Sequence, residues 1–443
     1  MTTRNTSRTH WTRRRFLRNS ALGAGAAGIL PIIGMRSARA VQGIRGRFMV
    51  VVNMLGGNDG LNMVVPTHLS PYVDRRPSIN LVENLPSGKA LHDLSDGFKL
   101  HYNLPTVKSI WDDNDLHVVQ KVSYPNPNQS HFTSQDIFSF GVRDTGAGDG
   151  RGWLGRFADE YCSNPSEPLG VISVGLGRRR DFESNETDPA ILSSVEKFAL
   201  NPDTNYRTDQ VLRERVAREI LAGELDPGAE PGLSIFQANQ QAYSLIEQVQ
   251  AETEDWVEPD PKYPTTSLGR NLRTVSNLLA GQDVFNTKVY YTGYGGFDTH
   301  SNQHINPTGT GSDGRHASLM KQLDDALSIF RTDLKARRLW DSCVIVVISE
   351  FGRRVFENGS AGTDHGHGNP FLVMGGNVKG RLDAGGMTGE LLETHIDSES
   401  TVPFGLDFRD LYGNVIQNHL GVAPGPLFPD AGYTPAFNDI DLI

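Results

Sequence analysis

The stretch that decides the fold is FMVVVNML, residues Phe48–Leu55, followed directly by GGNDG, residues Gly56–Gly60. A continuous apolar and β-branched run of this length is typical of a strand that is covered on both faces of a sheet. The glycines and the acid that follow it indicate a sharp loop at the carboxyl end of the strand. The sequence therefore predicts a buried central strand that ends in a polar loop.

Four more runs have the short apolar composition of buried strands, and most are bounded by glycine or proline; they are Leu116–Val122, Thr287–Tyr291, Cys343–Ser349 and Phe371–Met374. Between the second and third of these, Ala317–Phe330 carries apolar side chains at positions i, i+3, i+4 and i+7, which predicts an amphipathic helix. Strand, helix and strand at this spacing indicate a βαβ crossover. The predicted fold class is α/β, with a central, mostly parallel sheet flanked by helices.

Residues 150–285 have a different pattern. Helical segments are predicted at Thr208–Leu225, Leu233–Glu252 and Leu268–Leu279, joined in part by the acidic, proline-rich linker Trp256–Pro261. We therefore predict one α/β domain over residues 41–443 that carries a helical insertion at about residues 150–285.

Residues 1–40 have the parts of a signal peptide in the usual order: a basic segment with Arg13 and Arg14, a weakly apolar run at Ala21–Gly34, and the small-x-small pattern Ala38–Ala40. The apolar run is too short and too mild to span a hydrocarbon core of ~30 Å, so we expect it to be cleaved. The paired arginines indicate export of the folded protein by the twin-arginine translocase, to the periplasm or beyond the cell. No later stretch is apolar enough to predict a membrane span.

The charge of the chain argues against nucleic acid as a partner. The formal net charge is −10, and residues 1–40 hold eight arginines and no acid, which leaves −18 on the remaining residues. Such an acidic surface repels nucleic acid. The only two cysteines, Cys162 and Cys343, are too far apart in sequence for a metal knuckle, and two buried thiols are favoured over a single long-range disulfide.

Acids and histidines gather directly after the predicted strands. In open α/β sheets, ligand sites form beyond the carboxyl ends of the strands. Imidazole nitrogens and carboxylate oxygens are ligands for zinc, manganese or iron, and such a set with an open position activates a nucleophile. The sequence predicts a divalent metal site, with zinc or manganese favoured, at which Asp59, Asp298, His300 and Glu350 converge and for which the further candidates are His304, Asp364, His365 and His367.

Each of these residues also has a purely structural interpretation. Asp298 is compatible with a turn or a helix cap, and His300 and His304 with surface polar groups. Glu350 is compatible with an ion pair to Arg353 or Arg354.

A hydroxyl group lies at the predicted start of a helix after the second strand, in the sequence Asn128-Gln129-Ser130-His131-Phe132. Free N–H groups and the helix dipole favour anions at such a position, so Ser130 is a candidate nucleophile. Thr133 and Ser134 lie one helical turn away and are alternatives. Simple capping of the helix by Ser130 is the competing interpretation.

Five motifs carry a family resemblance: Leu55–Asn62, Ser130–Phe132, Phe297–His300, Ser349–Arg353 and Gly362–Gly368. In this order they closely resemble an uncharacterised family of bacterial proteins exported by the twin-arginine pathway, over almost all of residues 41–424. That family is similar in turn to the alkaline phosphatase and sulfatase superfamily. The resemblance implies an alkaline-phosphatase-like three-layer sandwich with metal ligands after several strands.

Carried over residue by residue, the resemblance implies Asp59 as the ligand after the first strand and Ser130 as the nucleophile. It implies the later ligands Asp298 with His300 or His304, and His365 or His367. Where the superfamily usually has Asp-His after a late strand, this chain has Ser349-Glu350, which makes Glu350 a substitute ligand. The sulfatase motif C/S-x-P-x-R is absent at Ser130, which favours a phosphatase-like enzyme over a sulfatase.

Two functions of different classes follow. The first is an exported, metal-dependent hydrolase of phosphate or sulfate esters, whose substrate is a small-molecule or polysaccharide anionic ester. The second is a non-catalytic, metal-stabilised binding or scaffold protein of the cell envelope with the same fold. The distance of Ser130 from the metal cluster distinguishes them.

Overall fold

The computed structural model describes residues 43–143, 146, 148–162, 169–187, 189–195, 244–304, 314–397, 400–430 and 432–443. The strands in this part of the chain are β1 Phe48–Leu55, β2 Val64–Pro66, β3 His92–Asp93, β4 Phe98–Leu100, β5 Leu116–Ser123, β6 Val171–Val174, β7 Ala190–Leu192, β8 Val289–Gly295, β9 Cys343–Ile348, β10 Asn369–Met374, β11 Met387–Thr388 and β12 Leu406–Asp407.

Strand β1 lies inside a nine-stranded sheet of order β11-β5-β10-β9-β1-β8-β6-β7, with β12 also paired to β5. All residues of β1 before Leu55 are buried, because helices cover both faces of the sheet. The strand is parallel to both neighbours, with Val51 opposite Tyr291 on one side and Val346 on the other. Strands β2, β4 and β3 form a separate small sheet.

The sheet is mostly parallel, as predicted, and β10 is the exception among the strands described. It runs antiparallel to both β5 and β9. Because β9 and β10 run in opposite directions, the loop of residues 349–368 begins and ends at the same edge of the sheet. That edge is where the parallel strands β1, β5 and β8 have their carboxyl ends, so the loop's acids and histidines stay beside theirs.

The α-helices with defined bounds are α1 Gly60–Met63, α2 Ser70–Asp74, α3 Pro105–Asp112, α4 His131–Phe140, α5 Trp153–Tyr161, α6 Ser267–Leu278, α7 Gln282–Phe285, α8 Arg315–Ala336, α9 Arg381–Ala384, α10 Glu393–Asp397 and α11 Phe408–Val415. A π-helix, Ile416–Leu420, continues α11, and short 3₁₀ turns occur at Arg180–Phe182, Leu279–Gly281, Trp340–Ser342 and Gly425–Leu427.

The helices lie on both faces of the sheet. On one face, helices α4, α5 and α11 contribute Phe138, Trp153 and Phe408 to a hydrophobic core. The central strands contribute alternate residues to the same core, among them Val51 and Val346. On the other face, α6 packs against β8 and against α8. The alternation of Val50, Val51 and Val52 across the two faces explains why the run is apolar throughout. The predicted α/β class, a central sheet flanked by helices, is confirmed.

The interval 150–285, predicted as a helical insertion, contains more than helices. Residues 171–174 and 190–192 form strands β6 and β7 of the central sheet, which a purely helical insertion does not account for. The predicted helix at 268–279 is present as α6. Residues 244–253 are helical, within the segment predicted at 233–252, and residues 208–225 lie outside the described part of the chain.

The described residues fall into two compact units. One unit contains the described residues within 43–195 and 257–443, and the other unit contains residues 244–256. Cys162 and Cys343 are both buried and form no disulfide with each other, as favoured from the sequence. Among the described residues, no helix has both the length and the apolar composition needed to cross a bilayer. The predicted signal peptide, residues 1–40, lies outside the described residues.

Candidate metal centre

Helix α4 places a histidine at the carboxyl edge of the sheet. Asn128 Oδ1 accepts a hydrogen bond from Ser130 N at 2.7 Å, and Ser130 is extended, so the chain turns into the helix at His131. Gly141, with φ 63°, ends the helix in the left-handed conformation. His131 has Nδ1 3.1 Å from Glu350 Oε1 and Nε2 3.5 Å from Asp298 Oδ1.

Two more candidates follow β8. The Nε2 atom of His300 lies 3.0 Å from Asp298 Oδ1, and its Nδ1 atom lies 3.0 Å from Asp364 Oδ1. Asn358 Nδ2 donates to the same Asp364 oxygen at 3.2 Å and to the carbonyl oxygen of His300 at 2.9 Å. The segment after β8 is therefore fixed to the β9–β10 loop.

The β9–β10 loop supplies the third histidine. His365 has Nδ1 2.7 Å from the carbonyl oxygen of Gln129, and its Nε2 lies 3.2 Å from Asp298 Oδ1. The Nε2 atoms of His300 and His365 are 3.0 Å apart. Within the described residues, one ligand atom each from His131, Asp298 and His365 fall within 4.8 Å of one another.

The hydrogen bonds of the ring nitrogens decide what this cluster can bind. In all three histidines Nδ1 faces an oxygen acceptor, so the tautomer with its proton on Nδ1 keeps that hydrogen bond and directs the Nε2 lone pair into the cluster. The three Nε2 atoms surround a single carboxylate oxygen of Asp298. Two bare Nε2 atoms 3.0 Å apart repel each other unless a proton or a metal ion lies between them. The anchored Nδ1 atoms are the arrangement that metal-binding histidines have, and the residues present therefore fit a divalent metal.

The cluster is open to solvent. The exposed fractions of the side chains are 46% for Asp298, 44% for His300, 26% for His131 and 20% for His365. Structural metal sites are closed by protein ligands, whereas catalytic sites keep a position for water or substrate. The cluster therefore has room for a further ligand on its solvent side, unlike a closed structural site.

Arg353 fixes the charge and the position of Asp298. Its buried guanidinium donates to Asp298 Oδ1 at 2.7 Å, and also to the carbonyl oxygens of Gly57 at 2.7 Å and Thr363 at 2.9 Å. Burial opposes ionisation of Asp298, but the charge and hydrogen bond of Arg353 outweigh it and lower the pKa of the carboxyl to about 2. Asp298 is therefore ionised at neutral pH.

The Gly56-Gly57 pair allows the backbone to approach this site. Both residues have positive φ, 119° and 78°. A Cβ atom on Gly56 would lie 2.5 Å from Asp298 N, and one on Gly57 would lie 2.2 Å from the Phe351 ring. Only glycine meets both requirements, which explains the GG sequence after β1.

Glu350 is a buried partner of His131. Its Oε1 atom accepts hydrogen bonds from Gly56 N at 2.8 Å and from Gln135 Nε2 at 3.1 Å, in addition to the contact with His131. The Oε2 atom is buried and has no hydrogen-bond partner. Burial opposes ionisation, but these hydrogen bonds outweigh it and lower the pKa of Glu350, whereas the hydrogen bond to Glu350 raises the pKa of His131 against its burial.

Residues 47–423 match the family described as "Protein of unknown function (DUF1501)". The chain belongs to the DUF1501 family. No curated protein matches the sequence.

Solved structures similar to this DUF1501 chain include an alkaline phosphatase and a member of the alkaline phosphatase superfamily. A protein of the alkaline phosphatase superfamily from Vibrio parahaemolyticus has 10% identity and a TM-score of 0.38, with 95% of this chain and 78% of that chain covered. A lipoteichoic acid synthase from Listeria monocytogenes has 11% identity, a TM-score of 0.33 and coverages of 86% and 73%. Alkaline phosphatase from the Antarctic bacterium TAB5 has 10% identity, a TM-score of 0.28 and coverages of 75% and 92%.

Of the ligands predicted for the DUF1501 chain, the structure brings Asp298, His300 and His365 into one cluster. Glu350 and Asp364 lie directly behind it, each bonded to the Nδ1 atom of a cluster histidine. The structural alternative for Glu350, an ion pair with Arg353 or Arg354, is not found among the described residues, because Arg353 pairs with Asp298.

Three predicted ligands lie outside the cluster. Asp59 is buried and its Oδ2 atom accepts from Arg76 Nη1 at 2.6 Å and from Gln303, so an arginine neutralises it. Burial opposes its ionisation, but Arg76 outweighs burial and lowers the pKa of Asp59. His304 is buried with Nε2 2.6 Å from the carbonyl oxygen of Asn84. The remaining candidate, His367, has Nδ1 3.0 Å from Thr401 Oγ1.

The three candidate hydroxyl groups differ in their environment. Ser130 is exposed and its side chain does not cap α4, so simple capping does not explain it. Ser134 is buried, and its hydroxyl donates to the carbonyl oxygen of Asn128 at 2.8 Å and contacts Tyr124 Oη at 2.6 Å. The Ser134 hydroxyl therefore already has two hydrogen-bond partners within the protein. Thr133 is half-buried.

Sequence reasoning missed two members of the site in this DUF1501 chain. His131 stands in the Ser130–Phe132 motif, in which only Ser130 is predicted to have a chemical role. His131 follows a strand end as the other ligands do, and this placement is the signal that identifies it. Arg353 is predicted only as a partner of Glu350, and no sequence signal shows which acid it reaches.

Proposed function

We propose that this protein is a metal-dependent hydrolase of phosphate or sulfate esters. The observation that carries the proposal is the convergence of the Nε2 atoms of His131, His300 and His365 on Asp298, with each Nδ1 atom anchored and the cluster open to solvent. A divalent ion held there, zinc or manganese by the mixed nitrogen and oxygen donors, would polarise an ester oxygen and activate a hydroxyl or water.

The protein's own residues prepare this site. Arg353 keeps Asp298 ionised and aimed at the histidines. Glu350, Asp364 and the Gln129 carbonyl hold the three rings with Nε2 toward the ligand position. Ring orientation by such partners is typical of metal sites and raises the basicity of the ligands.

Ser130 is proposed as the nucleophile, or as the hydroxyl that positions the anion. It is exposed and directly precedes His131, so its position is fixed by the residue that enters the cluster. The first backbone N–H groups of the ten-residue helix α4 have no partner within the helix, and the positive end of the helix dipole favours a phosphate or sulfate group there. Thr133 is the alternative hydroxyl.

We further propose that residues 1–40, with Arg13 and Arg14, direct the folded protein through the twin-arginine translocase to the periplasm or the cell exterior. Export after folding suits a protein that takes its metal in the cytoplasm. The proposed substrate is an anionic ester of a small molecule or a polysaccharide, because the activated position faces solvent.

A non-catalytic, metal-stabilised envelope protein is the second candidate. The observation that favours it is that Ser130 Oγ has no hydrogen bond to a histidine or carboxylate among the described residues, so no base stands ready for its proton.

The test combines metal content with turnover. Wild-type protein loaded with zinc or manganese is assayed on phosphate and sulfate monoesters and diesters, alongside His365→Ala and its control His367→Ala, a histidine of the same loop outside the cluster. We expect His365→Ala to lose both metal and turnover, and His367→Ala to keep metal. Ser130→Ala should keep metal and lose turnover. Metal binding by the wild type without turnover of any ester would favour the second candidate.

A further inference from the structure

The side chain of Gln303 joins the two loops that carry the metal-site residues. Gln303 is fully buried between β8 and α8. Its Oε1 atom accepts from Thr299 Oγ1 at 3.0 Å and from Thr363 Oγ1 at 2.6 Å. Its Nε2 atom donates to Asp59 Oδ2. Both polar atoms of this amide therefore have protein partners.

The two threonines stand next to the candidate ligands. Thr299 lies between Asp298 and His300, and Thr363 directly precedes Asp364 and His365. Both are fully buried, and Thr363 N donates to the carbonyl oxygen of Thr299 at 3.1 Å. One amide oxygen thus holds the loop after β8 to the loop between β9 and β10.

Asp59 and Arg76 determine which way the amide faces. A carboxylate only accepts hydrogen bonds, so the NH₂ group of Gln303 must face Asp59 and its oxygen must face the threonines, which donate. Arg76 holds Asp59, and its Nε and Nη2 atoms also donate to the carbonyl oxygens of Val355 at 2.7 Å and Arg354 at 2.8 Å. Asp59, whose charge is neutralised by Arg76, therefore fixes the orientation of the Gln303 amide.

We propose that Gln303 is a positioning residue for the metal site, with Asp59 as the group that orients it. It acts by holding Thr299 and Thr363, and through them the ligands Asp298, His300 and His365, at the separation that metal binding requires. This inference rests on the metal site of the proposed function. It also gives Asp59 a role other than that of a ligand.

The test measures zinc affinity on metal-free full-length protein by competition with a chelator, together with the melting temperature of the metal-free form. Gln303→Leu should weaken zinc binding by about 10- to 100-fold, the usual effect of removing an outer partner of a metal site. Thr299→Val with Thr363→Val should weaken it to a similar extent, because all act through one amide. Thr363→Ser, which keeps the hydroxyl, should bind as the wild type does.

Thr292→Val is the matched control, since Thr292 is a buried threonine of β8 whose hydroxyl donates to Val174 O at 2.9 Å. It should change the melting temperature without changing zinc affinity. Should Gln303→Leu not fold, the double threonine variant gives the same measurement without altering the amide. A folded variant of either kind with wild-type zinc affinity would overturn the inference alone. A wild type that binds neither zinc nor manganese would overturn the metal site as well.

Discussion

Replacing Arg353 by methionine should weaken both the fold and the metal site. The guanidinium is fully buried and donates to Asp298 and to the carbonyl oxygens of Gly57, Thr363 and Phe297. Breaking a buried charge pair by removing one partner costs about 3–5 kcal/mol, but Asp298 is 46% exposed, so water compensates part of this loss. The buried carbonyl groups lose charged donors worth about 1.5–3 kcal/mol each. These losses belong to one hydrogen-bond network and do not add in full, so we expect the free energy of unfolding to fall by about 5 kcal/mol, near the low end of their sum, out of roughly 5–15 kcal/mol for a typical protein.

The same variant should change the acid stability of the protein. Asp298 has its pKa lowered from 3.8 to about 2, where burial is outweighed by Arg353. A carboxyl with a depressed folded pKa contributes stability above its unfolded pKa, and that stability is lost as the pH falls through the folded pKa. After allowance for solvent screening, the wild type should lose about 1 kcal/mol between about pH 4 and pH 2 from this group. Arg353→Met should lack this loss.

Arg156→Met is the control. Arg156 is also fully buried and donates to the carbonyl oxygens of Phe140 and Leu427 at 2.8 Å, with Asp149 as its acid, but it touches no residue of the cluster. Urea unfolding of chelator-treated protein at neutral pH and at about pH 3 gives the stabilities, and chelator competition gives the zinc affinity. Both variants should be destabilised, and only Arg353→Met should lose zinc affinity. Equal zinc affinities in the two variants would refute the reasoning.

Three further outcomes are expected. Zinc affinity should fall on acidification through a pH above 6.5, because the pKa of His131 is raised and its proton competes with the metal. Glu350→Gln should move this loss of affinity to lower pH in a zinc titration from about pH 8 to pH 6. An unchanged pH profile would contradict the pairing of Glu350 with His131. Gly57→Ala should lower the free energy of unfolding by about 2 kcal/mol or more in urea, because the residue has positive φ and its new Cβ would overlap an aromatic ring; wild-type stability would contradict the close approach. Lysine at both positions of Arg13-Arg14 should block periplasmic accumulation in a fractionation assay, and normal accumulation would indicate another export route.

Much of the fold follows from local sequence. Every residue of Phe48–Leu55 except Asn53 is apolar, which indicates a strand buried on both faces. In the structure this strand lies between two parallel neighbours. The 3.6-residue period of Ala317–Phe330 lies within α8. Short-range patterns of this kind report burial directly because each side chain's face is fixed by the backbone geometry. The direction of β10 cannot be predicted from the sequence, because a short apolar run has the same composition in parallel and in antiparallel pairing.

The sequence also determined which loops meet. Asp298 follows β8, whereas Glu350 and His365 lie in the loop that follows β9, and the carboxyl ends of these parallel strands share one edge whatever lies between them. What only the tertiary structure decided is which side chains of those loops turn toward each other. Asp59 turns to Arg76 and Gln303 rather than to the cluster.

Likewise, His131 enters the cluster while Ser130 remains exposed. A loop residue has no periodicity to fix its direction. Its orientation depends on partners far along the chain. Arg353, 55 residues after Asp298, pairs with that carboxylate, and Glu350 pairs with His131 instead. Competition among such partners is settled only when the strands have assembled.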